Sequence, residues 1–158
     1  WGAGAKLAAF HFGSMPDELS GTADAALLIR ALHNVARYEN DGGWLSAALA
    51  DVKRVLKPGG IVGVVQHMAP ASNSDEWADG NRGYLKHAFV MQIMTAAGFE
   101  FVGESAVNQN PADQPSEEEF VWRLPPTFDG FGDNAELKAK YAAIGESNRM
   151  TLLFKKPE

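Results

Sequence analysis

The 158-residue sequence has no cysteine at all. That excludes a disulfide scaffold, a cysteine nucleophile and any Cys-ligated zinc or iron–sulfur centre, while leaving the compartment open, with the cytoplasm as the default. Positive charge is also in short supply. Fourteen Lys plus Arg stand against twenty Asp plus Glu, a formal charge of −6, the wrong sign for gripping a phosphate backbone. Nucleic acid is therefore not the expected partner. No apolar run reaches the roughly 18 residues that a bilayer span needs, so no membrane span is expected. There is no internal repeat, and the only charge block is Glu117-Glu118-Glu119. The chain opens at Trp1-Gly2-Ala3-Gly4 with neither an initiator Met nor a signal-peptide pattern, from which a missing front part is expected.

What is present suits one compact domain: 46% of residues are hydrophobic and 22% charged. Residues 6–12 (KLAAFHF) read as a short strand closed by the loop Gly13-Ser14-Met15-Pro16. Residues 23–32 form a near-continuous apolar run that suits a buried strand or a helix. Leu45, Ala48, Leu49, Val52, Val55 and Leu56 recur at helical spacing within 44–57, and Lys57-Pro58-Gly59-Gly60 stops that helix. Residues 61–66 (IVGVVQ) do not alternate and read as a strand buried on both faces. A second helix is expected over 84–97, with Phe89, Val90, Ile93, Met94 and Ala97 on one face and Gly98 as terminator. Strands follow at 99–104 and 149–155, with a short helix near 135–144 inside the long connection 105–148, a length typical of lids or disordered segments. Alternating strands and helices imply an α/β domain with a mostly parallel sheet and an antiparallel last pair.

Ala31-Leu32-His33-Asn34-Val35, then Val55-Leu56-Lys57-Pro58-Gly59-Gly60, then Ile61-Val62-Gly63-Val64-Val65 together resemble the second half of a class I S-adenosylmethionine-dependent methyltransferase. Residues 98–105 (GFEFVGES) stand where that family has its sixth strand. Asn110-Pro111-Ala112-Asp113 and the tail Leu153 to Pro157 are similar to a group of bacterial methyltransferases with small or unassigned substrates. The resemblance covers residue 6 to the end, apart from an apparent insertion at 129–148. It implies a Rossmann-like three-layer sandwich with family strand order 3-2-1-4-5-7-6, of which strands one and two are absent from this sequence. Residues 1–158 are then a single partial domain with a lid at about 105–148, and its fourth strand presents an open edge through which copies can associate. The family's Gly-rich cofactor turn and ribose-binding acidic residue have no counterpart here. Gly2-Ala3-Gly4 has no strand before it and reads as a terminus.

The resemblance implies S-adenosylmethionine, or S-adenosylhomocysteine after transfer, as cofactor, a small-molecule acceptor and no metal. Ligands of open α/β sheets sit beyond the carboxyl ends of the strands, which singles out His33 at the fourth-strand tip as catalytic base. Related plant-type O-methyltransferases carry His-Asp at this motif, and here Asn34 replaces the Asp. Cofactor contacts fall to Gly13, Ser14 and Met15 on the adenine side, and to Arg30 and Ala31 near the methionine carboxylate. Asn34, His67, Arg82, Tyr84 and Trp122 are the candidate acceptor contacts, with Trp77 beside them as cover. His11 and His87 read as structural. Asp129-Gly130-Phe131-Gly132 fits a movable flap. His33 and His67 lack the further ligands that a zinc site requires. Two alternatives stay open: a methyltransferase-like protein that binds without catalysing, and a nicotinamide-dependent oxidoreductase, which would need a Gly-x-Gly-x-x-Gly turn that the sequence does not contain.

Overall fold

The computed structural model describes residue 4 and residues 7–158. The reading of Gly2 and Ala3 therefore lies outside the described residues, as does Lys6, where the first strand was expected to begin. Residues 7–11 form no strand. A single extended segment has no ladder partner among the described residues to satisfy its backbone groups, and sequence preference alone does not hold it in a sheet.

The sheet comprises β1 (Ala23–Ile29), β2 (Leu56–His67), β3 (Glu100–Ser105) and β4 (Arg149–Lys155), in the order β1-β2-β4-β3. β1 and β2 run parallel, and β4 is antiparallel to both its neighbours. The ambiguous run at 23–32 resolves as strand β1 followed by a short helix, α1 (Leu32–Ala36), and one more turn, α2 (Glu39–Gly42). The parallel pairing with β2 decides the matter, because a crossover helix lies between them. That helix, α3 (Trp44–Val55), buries Leu45, Ala48, Leu49 and Val52, as its spacing predicts. Its first amides are capped from outside: the Glu39 carboxylate accepts from Leu45 N–H at 2.8 Å and from Ser46 N–H at 3.0 Å. β2 starts directly at Leu56, so Lys57 to Gly60, expected as a helix stop, already belong to the strand. The helix α4 (His87–Ala96) begins three residues later than expected, because Lys86 is extended (ψ 143°) and Leu85 bridges to Met68 and Asp79 instead. Asn134 caps α5 (Ala135–Ile144), its side chain accepting from Leu137 N–H at 3.0 Å. Among the described residues no helix is long and apolar enough to cross a membrane.

The core lies between one sheet face and the helices. Val62 and Val64 of β2, Met150, Leu152 and Phe154 of β4, Leu49 and Val52 of α3, and Val90 and Met94 of α4 form one buried cluster. Each such side chain contributes roughly 1.5–3 kcal/mol by leaving water. β2 was expected to be buried on both faces. Instead it alternates, with Ile61 44% exposed between buried neighbours, because among the described residues α3 and α4 cover only the Val62/Val64 face. β1 and β3 are the edge strands, and Leu27 and Ile29 are exposed along β1.

Candidate active site at the strand tips

The parallel strands β1 and β2 end side by side, and the first turn of α1 sets His33 over the tip of β2. Gln66, the penultimate residue of β2, is fully buried, and its side-chain amide carries the arrangement. Its Nε2 donates to the Gly83 carbonyl at 2.8 Å and to the His67 carbonyl at 3.2 Å. Its Oε1 consequently faces His33 and accepts from the His33 backbone N–H at 3.4 Å and from ring Nδ1 at 3.2 Å. A carbonyl oxygen cannot donate, so the His33 proton sits on Nδ1 and Nε2 keeps its lone pair. Burial lowers the His33 pKa against the opposing Gln66 hydrogen bond, with Arg37 and Arg30 adding to the depression. The ring is neutral at pH 7.

His67, the last residue of β2, lies with its ring centroid 5.6 Å from that of His33. Its Nδ1 shares a 2.6 Å hydrogen bond with Ser147 Oγ, at the entrance to β4. Burial, then the charges of His33, Arg149 and Arg30, push its pKa down to about 3. A folded-state pKa below the unfolded value near 6.5 means that the unfolded chain binds the extra proton first. His67 therefore adds stability that is complete above about pH 6.5 and is lost as pH falls toward 3. Denaturant titrations of wild type and His67→Gln at pH 7 and pH 4.5 should show a smaller loss on acidification in the variant.

The long connection 105–148 packs over the site instead of hanging free. Asp113, with no exposed surface, accepts from Tyr84 O–H at 2.8 Å, from Arg123 Nη2 at 2.7 Å and from Asn148 N–H at 2.9 Å. Arg123 Nη1 also donates to Tyr84 Oη at 2.9 Å. Burial alone would lower the Arg123 pKa, but Tyr84 and Asp113 outweigh it and hold it above its usual value. Burial, reinforced by the Asp113 charge, raises the Tyr84 pKa, so its hydroxyl stays protonated. Trp77 stacks on Tyr84 at 5.2 Å, and Trp122 meets His33 edge-on at 5.9 Å. The 120–124 stretch is held close to Gly83, which adopts φ +84° and would place a Cβ 2.2 Å from Val121 Cγ1. Gly83→Ala should cost roughly 1–3 kcal/mol in denaturant unfolding, with partial recovery in the Gly83→Ala, Val121→Ala double variant.

A pocket of about 150 Å³ opens between the strand tips and this cover, lined by Arg30, His67, Trp122, Pro126, Ser147 and Arg149 among others. Of the sequence-derived candidates, Arg30, His67 and Trp122 share its wall. His33 stands behind, only 4% exposed. Tyr84 belongs to the buried Asp113 network, and Arg82 serves through its backbone, its carbonyl accepting from Val121 N–H at 3.0 Å. Asn34 is exposed on α1. Gly13, Ser14 and Met15 lie along α3: Gly13 N–H donates to Asp51 Oδ2 at 2.7 Å, Ser14 Oγ to the His11 carbonyl at 2.8 Å, and Met15 is buried. Ala31, half-buried, joins β1 to α1. The 129–132 segment is tied back by Asp129 N–H to the Trp122 carbonyl at 2.9 Å, and Gly130 lies against the Phe120 ring. No group of three or more His, Asp or Glu side chains able to hold a metal occurs among the described residues.

Gln66, Asp113, Arg123, Ser147 and Arg149 were not singled out from sequence. A readable signal existed for one of them: Gln66 is the lone polar side chain in an apolar strand, and such a group needs buried partners.

No family model and no curated protein sequence matches the chain. Solved structures do. The [4+2]-cyclase SpnF superposes with a TM-score of 0.57 at 21% identity, over 95% of this chain and 55% of that one. A provisionally named methyltransferase from Bacillus halodurans gives 0.56 at 15% identity, over 94% and 70%. An S-adenosylmethionine-dependent methyltransferase from Methanosarcina mazei gives 0.50 at 12% identity, over 96% and 63%. The chain thus spans between 55% and 70% of the length of these three proteins. Its fold is that of the class I S-adenosylmethionine-dependent methyltransferases, and the sheet order β1-β2-β4-β3 corresponds to the 4-5-7-6 block of that architecture.

Proposed function

We propose that this chain forms the acceptor side of an S-adenosylmethionine-dependent methyltransferase that modifies an oxygen or nitrogen of a small molecule. The observation that carries the reading is the pair of neutral imidazoles side by side at the carboxyl ends of two parallel strands, next to a ring-sized pocket. When bound, the cofactor supplies an electrophilic methyl group: the acceptor lone pair forms the new bond to carbon as the old carbon–sulfur pair stays on sulfur. The acceptor's proton must then leave. An attacked hydroxyl becomes strongly acidic as its new bond forms, so even a weakly basic imidazole takes the proton. His33 suits that task, because Gln66 fixes its Nε2 as the free lone pair. His67, on the pocket wall, touches the acceptor, and Trp122 covers it. Asn34 supports no His–Asp pairing, since its side chain points to solvent with no partner on the His33 ring.

Ala31 and the Gly13–Met15 loop remain the proposed cofactor contacts. Ser14 offers lone pairs only, its proton being used within the loop. The net charge of −6 supports a small acceptor over nucleic acid. The open β1 edge, with Leu27 and Ile29 exposed, supports self-association. The second reading is a protein that binds on this fold without transferring methyl. It draws on SpnF, a solved neighbour named for a cyclisation.

Calorimetric titration of the intact protein with S-adenosylhomocysteine, with NADH as control, separates the readings. Saturable micromolar binding of the first and none of the second supports a methyltransferase. Binding of NADH alone would select the oxidoreductase, and binding of neither would select the second reading, a methyltransferase-like protein that transfers no methyl group.

A further inference from the structure

The pocket beside His67 has a sign. Arg30 and Arg149 both line it, Glu146 is the lone carboxylate on its wall, and burial keeps His67 uncharged, so the cavity carries a surplus positive charge within a protein of net charge −6. Glu146 is already bound to Arg149 Nη2. Arg30 has no ion-pair partner among the described residues, and it sits at the end of β1 in the left-handed region (φ 51°), where its N–H donates to the Val65 carbonyl at 2.6 Å. A non-glycine residue pays for that conformation, and the β1–β2 register holds it there. The Arg149 Nε is buried without a hydrogen-bond partner among the described residues. Trp122, Pro125 and Pro126 give the remaining wall an apolar stretch, with Thr127 and Ser147 as its neutral polar members. A cavity of about 150 Å³ has room for about one six-membered ring.

We propose that this pocket selects an acceptor built on a single planar ring that carries a carboxylate, the ring lying against Trp122 and Pro126, the carboxylate meeting Arg30, and the reacting hydroxyl or amine directed past His67 toward Nε2 of His33, whose ring lies 5.6 Å from that of His67. The assignment rests on the methyl-transfer reading for what happens next, but recognition of the ring and its anion stands on the pocket alone. It moves Arg30 from the cofactor's carboxylate, where the family resemblance placed it, to that of the acceptor. A guanidinium suits this role because its fork of donors matches a carboxylate. The indole face adds ring stacking.

The test uses 4-hydroxybenzoate, phenol and benzylamine as probes, titrated into the intact protein by calorimetry, with S-adenosylhomocysteine titrated into the same samples. 4-Hydroxybenzoate should bind at least tenfold tighter than phenol, and benzylamine weakest of the three. Arg30→Gln should remove that tenfold preference and change S-adenosylhomocysteine binding less than twofold, while Trp122→Ala should weaken both 4-hydroxybenzoate and phenol. Equal binding of phenol and 4-hydroxybenzoate overturns the proposal, as does an Arg30→Gln effect confined to S-adenosylhomocysteine, which would return Arg30 to the cofactor. Ring-carboxylate binding without S-adenosylhomocysteine binding would leave the pocket's selectivity standing and sink the methyl-transfer reading instead.

Discussion

Asp113→Ala should lower stability by roughly 3–5 kcal/mol and the Tm by roughly 10 °C, the largest single-residue effect expected here. The carboxylate is fully buried and has three protein donors: Tyr84 O–H, Arg123 Nη2 and Asn148 N–H. Removing it leaves the Arg123 guanidinium, itself 2% exposed, with only the Glu119 carboxylate, 3.4 Å from its Nε, to offset the charge. The consequence reaches the site, because Asn148 follows Ser147, whose hydroxyl holds His67. Replacing both charges, Asp113→Leu with Arg123→Met, should recover part of the loss, since a well-packed apolar pair avoids the cost of burying ions. Thermal unfolding of the two variants checks this. An Asp113→Ala protein as stable as wild type would contradict the account of how the long connection is anchored.

That network also shows where sequence reading stops. The helices at 44–55 and 135–144 and the strand at 149–155 were legible because periodicity and stop signals are local properties. The triad of Tyr84, Asp113 and Arg123 joins positions 84, 113 and 123 across a connection with no periodic pattern, and no local rule relates them. Exposure misled at β2, where an unbroken apolar run suggested two covered faces. Composition along a strand reports what its two faces can bury, whereas the neighbouring layers decide what they do bury. His33, expected on the fourth-strand tip, lies in α1 beyond the end of β1. The placement of His67 at the end of β2 was readable from topology, since strand ends are fixed once the strands are known. The role of Gln66 was not, because the side chain turns its two amide ends to opposite partners only when β2 and the 80–85 loop meet.

Gln66→Leu carries the second large expectation. The leucine fills similar space but leaves the His33 Nδ1–H and the Gly83 carbonyl without partners, a cost of about 1–3 kcal/mol for each buried group. The His33 tautomer is then no longer fixed. If His33 takes the acceptor proton, transfer should fall roughly 100-fold, the lower end of what a positioned base provides. Gln66→Glu separates positioning from packing. Its carboxylate still accepts from His33 and raises the imidazole's affinity for a proton, yet turns an oxygen toward the Gly83 carbonyl and so loses stability. Long-range proton–nitrogen spectra should show His33 as the Nδ1–H form in wild type and a tautomer mixture in Gln66→Leu. A wild-type Nε2–H form would remove the free lone pair on which the base assignment depends.

Under the proposed function, the two strand-tip histidines border the cofactor and acceptor site. The most direct measurement is the imidazole spectrum of the intact protein, labelled with nitrogen-15 at histidine, during titration with S-adenosylhomocysteine. Saturable shifts are expected at His33 and His67, with His87 unmoved because it lies away from the tips, hydrogen-bonded to Glu104 of β3 at 2.8 Å. Saturation with no change at His33 and His67, or with the response confined to His87, would contradict that placement.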